Sequence, residues 1–448
     1  MLEKQVWLKL APEMDIEWQQ CMDEGLEVES YEAVCRFISE KADEKWTAEL
    51  EEMALAVEKL MHNEKINPNF SYVQPSALEE IRNVLPKKRH MLKNSLSKDE
   101  LRDKIKGAWI GRISGCLLGK PIEGYRREFL YPLLKESNNY PLNRYLKYEE
   151  FPDNMKALND KIRKGATWAD KIKGIAPIDD DTNYTVFGLS LLERYGRDFR
   201  PADVLEGWMA KIPCFDTCTA ERVAYRNGAQ GLLPPYTAIV KNPYREWIGA
   251  QIRGDFFGYI NPGNTELAAE YAWRDASISH VKNGIYGEMF ASAMMAAAAV
   301  TDDIMTVIEA GLDEIPENCR LREDVEKVIN WHSKDKLPAQ DIMEKIHAVY
   351  DENTDHGWCH TNSNAMIVVM ALLCGEKDFG KSICLAVEAA FDTDCNGATV
   401  GSVIGMLTGG KNIPEKWTKA HNNKLYTAIA GYQLTDVDSL TEKTLAFI

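Results

Sequence analysis

Two acidic clusters, far apart in the chain, have the composition and spacing of a cation site. Asp392-Thr393-Asp394-Cys395-Asn396 leads into a run containing Gly397, Ala398, Gly401 and Gly405, small residues along one side of an expected helix. Asp179-Asp180-Asp181-Thr182 leads into a second apolar, helix-like run, Val186-Phe187-Gly188-Leu189-Ser190-Leu191-Leu192. Carboxylates at the mouth of a tightly packed apolar helix are costly unless a cation meets them. Oxygen ligands of this kind suit a hard divalent ion such as Mg²⁺ or Mn²⁺. For this stretch alone, the competing reading is that Asp392 or Asp394 merely caps the helix. Two such helix starts in one chain favour convergence on a single metal site.

A third informative stretch lies upstream of both clusters. Ser97-x-x-Glu100 has the form of a capping box. The helix it opens carries Gly107, Gly111, Gly115 and Gly119, an i, i+4 series that gives one face room for another helix at close range. Each glycine costs about 1 kcal/mol against alanine in a helix, so four in register imply a packing reason. Pro121 then breaks the helix and leaves Glu123 at a turn, where a buried helix end is expected.

Other stretches offer weaker chemistry. Residues 125–176 mix aromatic and charged side chains and could supply a lid or side wall. Residues 213–265 are rich in proline and glycine and hold Arg253, Phe256, Phe257 and Tyr259. Rings beside an arginine suit a stacked base and a phosphate, although plain loop packing accounts as well for each ring alone. His356 and His360 have i, i+4 spacing, but no third ligand accompanies them, so a zinc site is weak. Residues 1–96 read as an appended helical region, with apolar positions at helical spacing in 31–38 and 50–60 and no catalytic spacing. Packing or homo-oligomerisation is the expected role, with His62 and His90 at the surface.

Composition narrows the class. A formal charge of −16 argues against a nucleic-acid-coating surface. No apolar run reaches the length of a membrane span, and Met1 to Leu10 lacks a secretory apolar core. Ten cysteines without CxxC pairs fit a reduced, cytoplasmic protein. Helical periodicity without regular strand alternation predicts an all-α protein, with an N-terminal extension over 1–96 and a catalytic domain over 97–448.

Three blocks together resemble the ADP-ribosylglycohydrolases related to dinitrogenase-reductase-activating glycohydrolase. Gly115-Cys116-Leu117-Leu118-Gly119-Lys120-Pro121-Ile122-Glu123 is similar to the family's G-D-A-x-G-x-P-x-E segment. Asp179-Asp180-Asp181-Thr182 resembles its [ST]-D-D-T motif, and Asp392-Thr393-Asp394-Cys395-Asn396 its D-T-D-T-N motif. Ser279-His280 resembles a T-H element between the last two. The resemblance implies an orthogonal all-α bundle with two Mg²⁺ or Mn²⁺ ions at the base of a cleft. By position, it assigns the metal to Asp179, Asp180, Asp181, Asp392, Asp394 and Cys395. It assigns catalysis to Glu123 with Asp181 and Asp394, and brings His280 to the substrate beside Arg253, Phe256 and Tyr259. The chain departs from the pattern at three positions: Asp179 replaces Ser/Thr, Cys395 replaces Thr, and Cys116 replaces Asp.

The implied reaction is hydrolysis of a ribosidic bond at C1 of ADP-ribose on an ADP-ribosylated substrate, with Glu123 moving a proton. One rival is a metal-dependent hydrolase of a small free N-riboside. Another is a non-catalytic, crystallin-like or ADP-ribose-binding relative. The acidic clusters alone would also serve a two-metal phosphohydrolase.

Overall fold

The computed structural model describes residues 6–153, 156 and 167–448. It is all-α: among the described residues the only sheet is an antiparallel pair, Lys424–Tyr426 with Leu434–Asp436. Seven helices set out the site and its surroundings: α1 (Met14–Asp23), α2 (Glu32–Glu44), α3 (Ala48–Met61), α4 (Lys98–Gly119), α5 (Asp180–Tyr195), α6 (Thr361–Cys374) and α7 (Thr393–Thr408).

Helix α4 starts at the expected capping box. The Ser97 hydroxyl accepts from the Glu100 amide at 3.3 Å, and the Glu100 carboxylate accepts from the Ser97 amide at 2.9 Å. From Gly107 to Gly119 every residue is buried, so this half has no solvent face and runs through the middle of the domain.

Its neighbour is α7, and the two helices meet backbone to backbone. A Cβ added at Gly107 would lie 2.1 Å from the Gly405 carbonyl oxygen. At Gly111 it would lie 1.9 Å from that of Gly401, at Gly115 1.9 Å from that of Gly397, and at Gly119 2.3 Å from that of Thr393. Rising numbers on α4 meet falling numbers on α7, so the helices are antiparallel. That direction brings the C-terminal end of α4, with Glu123, beside the first turn of α7, with Asp392 and Asp394. The Thr393 hydroxyl donates to the Gly119 carbonyl at 3.0 Å and fixes the register there.

The C-terminal segment is tied back to α4 through His421, which is fully buried. Its Nδ1 accepts from the Asn423 amide at 3.0 Å, so Nε2 carries the proton and donates to Ser114 Oγ, also at 3.0 Å. Burial lowers this imidazole to about 4. An unfolded histidine takes up its proton near 6.5, so stability is retained above that pH and lost as pH falls toward 4. The expected loss from this group is on the order of 2 kcal/mol by pH 5. Urea midpoints at pH 7 and pH 5 should differ less in His421→Asn than in the native protein. An equal difference would contradict the assignment.

Residues 10–61 contain α1–α3 and a small core of their own that includes Leu10, Met14, Cys35, Ile38, Ala54 and Met61, whereas Ile81, further on, packs into the main core. The two expected helices over 31–38 and 50–60 are α2 and α3. His62 and His90 lie at the surface as expected, each against a carboxylate, Glu17 and Asp313, at 2.7 Å. One face of α1 docks on the main domain through charge. Arg245 meets Glu17 at 2.7 Å and Glu24 at 2.5 Å, Arg320 meets Asp23 at 3.3 Å, and Lys282 pairs with Glu24. No helix among the described residues is long and apolar enough to cross a membrane.

Candidate functional site

Both acidic clusters sit at helix starts that α4 brings together. Asp179 is the N-cap of α5: its Oδ1 accepts from the Asp181 amide at 2.9 Å. Capping is therefore real here, but it occupies only one of its two carboxylate oxygens. Asp392 precedes α7 and makes no capping bond. The backbone reaches it through Ala390 and Phe391, at φ 61° and 58°, two side-chain-bearing residues in the left-handed region. Such strain persists only where surrounding contacts impose it. Asn364 on α6 is one such contact, its Oδ1 accepting from the Asp392 amide at 3.2 Å and from Asn396 Nδ2 at 2.8 Å.

Ligand-type atoms of Glu123, Asp392 and Asp394 lie within 4.8 Å of one another, as do those of Asp181, Asp394 and Cys395, and those of Cys116, Asp179 and Asp181. The three departures thus stand around one pocket. Cys116 and Asp179 are neighbours, so a carboxylate from the start of α5 lies beside the motif position that Cys116 fills. Burial pushes the Cys116 and Cys395 thiols well above their usual range, and both are neutral at pH 7.

The pocket is rich in negative charge and poor in compensation. Arg112, fully buried on α4, meets Asp181 at 3.0 Å but also Asp255 at 2.7 Å. Lys120 meets Asp179 at 2.5 Å, Asp394 at 3.0 Å and Glu123 at 3.1 Å. Burial, reinforced by Asp179, raises the half-buried Asp180 to about 7. Burial likewise holds Asp181 well above the carboxylate range despite Arg112, and does the same for Asp392, where Asp394 adds repulsion. Asp181 Oδ2 and Asp392 Oδ1 are buried without a hydrogen-bond partner. Carboxylate oxygens left in this state fit a divalent cation, which would relieve both burial and repulsion. Glu123, with 27% of its side chain exposed, stands at the rim.

The four residues expected to hold the substrate are placed elsewhere. Arg253 has its five N–H donors committed to Glu221, Asp275, Ser279 and the carbonyls of Gly249 and Asp275. A buried guanidinium so saturated does not receive a phosphate. Phe256 packs against Trp109 and Gly188, and Tyr259 bonds to Ser402; both rings are fully buried. His280 is also buried, its Nδ1 2.8 Å from Ser279 Oγ, and burial beside Arg253 keeps it neutral. All four side chains are buried in the core, away from solvent. Of residues 125–176, positions 154–155 and 157–166 lie outside the described residues, so the expected lid or side wall is described only in its flanks.

His356 and His360 do acquire a third neighbour, Asp23 of α1. Yet Trp247 Nε1 donates to His356 Nδ1 at 3.1 Å, and the Asn362 amide donates to His360 Nδ1 at 3.0 Å. Both rings therefore carry their proton on Nε2, the atom turned to Asp23, where a metal would need a lone pair. The trio is a polar contact between α1 and the segment before α6, not a zinc site. Sequence reasoning missed Asp23, Arg112, Lys120 and Asn364. Arg112 carried a usable signal, a charged residue within a glycine-lined apolar run.

The profile of the ADP-ribosylglycohydrolase family matches residues 97–445. Among solved structures, an ADP-ribosylglycohydrolase-related protein complex is similar, with 18% identity and a TM-score of 0.49 over 78% of this chain and 98% of that one. No curated protein gives a significant match. With the family profile spanning most of its length and the three motif blocks gathered around one pocket, the chain belongs to the ADP-ribosylglycohydrolase family and is a glycosidic-bond hydrolase.

Proposed function

We propose that this enzyme hydrolyses a ribosidic bond at C1 of ADP-ribose and requires a divalent cation, Mg²⁺ or Mn²⁺. The observation that carries this reading is the convergence of Asp179, Asp181, Asp392 and Asp394 beside the rim residue Glu123, with buried carboxylate oxygens left unsatisfied. Asp181, Asp392 and Asp394 would hold the cation, with the Cys395 thiol beside it. When bound, the ion supplies positive charge that orients sugar hydroxyls and acidifies water. Glu123 accepts a proton from the attacking water as its oxygen bonds to C1. The bond from C1 to the leaving nitrogen or oxygen breaks with its electron pair on the leaving atom, and Glu123 returns the proton there. Lys120, 3.1 Å from Glu123, fixes the carboxylate on the pocket side.

A second reading is favoured by one observation. Arg253, Phe256, Tyr259 and His280 were to grip a nucleoside diphosphate, and all are buried in the core. A small free N-riboside would not need them. Purified enzyme assayed with ADP-ribosyl-arginine, ADP-ribosyl-serine and a nucleoside panel separates the two. Turnover confined to the ADP-ribosyl substrates supports the first reading, and turnover confined to nucleosides supports the second.

A further inference from the structure

Lys120 stands at a variable position of its motif, yet its ammonium lies where three stretches of the chain converge. Its Nζ is 2.5 Å from Asp179 Oδ2, 3.0 Å from Asp394 Oδ2 and 3.1 Å from Glu123 Oε2. Three N–H donors meet three carboxylates, one from the start of α5, one from the first turn of α7 and one from the turn after α4. The side chain is 13% exposed, so these contacts are made out of bulk water, where the interaction between charges is strong. Its stem leaves the chain right at the end of the glycine ladder, where Gly119 faces the Thr393 backbone. The ammonium is thereby anchored to the element that assembles the pocket.

We propose that Lys120 is a tethered counter-ion that fills one cation position of the acidic pocket, so that this chain binds one divalent ion instead of the two its family resemblance implies. The inference rests on the metal-dependent reading of the site. An ammonium and a divalent ion cannot share the facing oxygens of Asp179, Asp394 and Glu123, because like charges at that separation repel strongly. What remains for a metal are carboxylate oxygens that Lys120 does not hold. Asp181 Oδ2 and Asp392 Oδ1 are buried without hydrogen-bond partners, a ligand-type oxygen of Asp394 lies within 4.8 Å of both the Asp181 carboxylate and the Cys395 thiol, and one lies within 4.8 Å of the Asp392 carboxylate. Asp179 in place of Ser/Thr fits the same account, since its extra carboxylate is the one closest to the ammonium.

The test is Mn²⁺ stoichiometry on the full-length protein, by isothermal titration with electron paramagnetic resonance of free Mn²⁺. The native chain should bind one Mn²⁺. Lys120→Met, which removes the charge and keeps most of the volume, should bind a second, and Lys120→Arg, which keeps the charge, should remain at one. Unchanged circular dichroism and melting establish that the variants are folded. Two ions in the native chain, or one ion with unchanged affinity in Lys120→Met, overturns the inference and leaves the metal-dependent reading standing. No Mn²⁺ bound by any of the three overturns both.

Discussion

Gly115→Ala is expected to prevent the protein from accumulating in folded form. The new methyl would lie 1.9 Å from the Gly397 carbonyl oxygen and 2.4 Å from its carbon, and both are helical backbone with no rotamer to change. Relief requires α4 and α7 to move apart. That would loosen the reciprocal contacts at Gly111 with Gly401 and Gly107 with Gly405, and draw Asp392 and Asp394 away from Glu123. Overpacking within a core costs about 1–3 kcal/mol where side chains can adjust. Here the obstacle is backbone on both sides, so the cost should exceed about 3 kcal/mol, a large share of a typical domain's stability. Gly410→Ala is the matched control. A Cβ there would meet the Gly107 amide nitrogen at 3.2 Å, a far milder contact than 1.9 Å, so its melting temperature should fall much less than that of Gly115→Ala. Soluble yield and thermal melting of the two variants decide the matter. A folded Gly115→Ala enzyme with native melting would contradict the ladder as the assembling element.

Asp392→Ala is expected to abolish turnover without unfolding the protein. Its carboxylate makes no capping bond and has one oxygen buried without a partner, so the metal-free fold gains little from it. At neutral pH, the metal-free variant should melt at or above the native temperature, since a buried, poorly paired acid has been removed. Divalent-ion binding should fall by more than the roughly 10–100-fold typical of residues one step removed from a metal. Glu123→Gln should behave differently. It keeps cation binding and lowers kcat by about 10²–10⁴-fold, the usual contribution of a positioned acid–base group. Titration calorimetry and steady-state kinetics on both variants separate the roles. Native turnover in Asp392→Ala, or lost ion binding in Glu123→Gln, would count against them.

The parts of this architecture written in short-range patterns were legible before the structure. Four glycines at a period of four announced a close helix crossing, and Ser97 with Glu100 announced where that helix begins. The acidic clusters were recognisable because carboxylates before an apolar helix need a reason to be there. What was hidden depends on partners distant in sequence. Arg253 reads like an anion-binding residue because the three acids that surround it, Glu221, Asp275 and Glu288, are spread over sixty-odd residues. Phe256 and Tyr259 lie on a helix of five residues, Asp255–Tyr259, too short for periodicity to reveal which way the rings face. Asp23 joins His356 and His360 from more than 300 residues away, a juxtaposition no spacing rule contains. Lys120 looked like filler between Gly119 and Pro121 until the fold set Asp179 and Asp394 around it.

The choice between capping and cation binding at the two aspartate clusters resolves differently at each. Asp179 does cap its helix, and the cap orients its second oxygen toward Lys120. Asp392 does not cap, and the strained pair Ala390 and Phe391 holds it toward Asp394. Asp179 contributes a capping bond and a carboxylate to the site, Asp392 the carboxylate without a cap.

The most direct measurement is product release from an ADP-ribosyl substrate by chelator-stripped enzyme, before and after Mg²⁺ or Mn²⁺ is restored. The pocket described here predicts no turnover in the stripped enzyme, recovery on adding either ion, and no recovery in Asp392→Ala. Full turnover after stripping, or in Asp392→Ala, would contradict it.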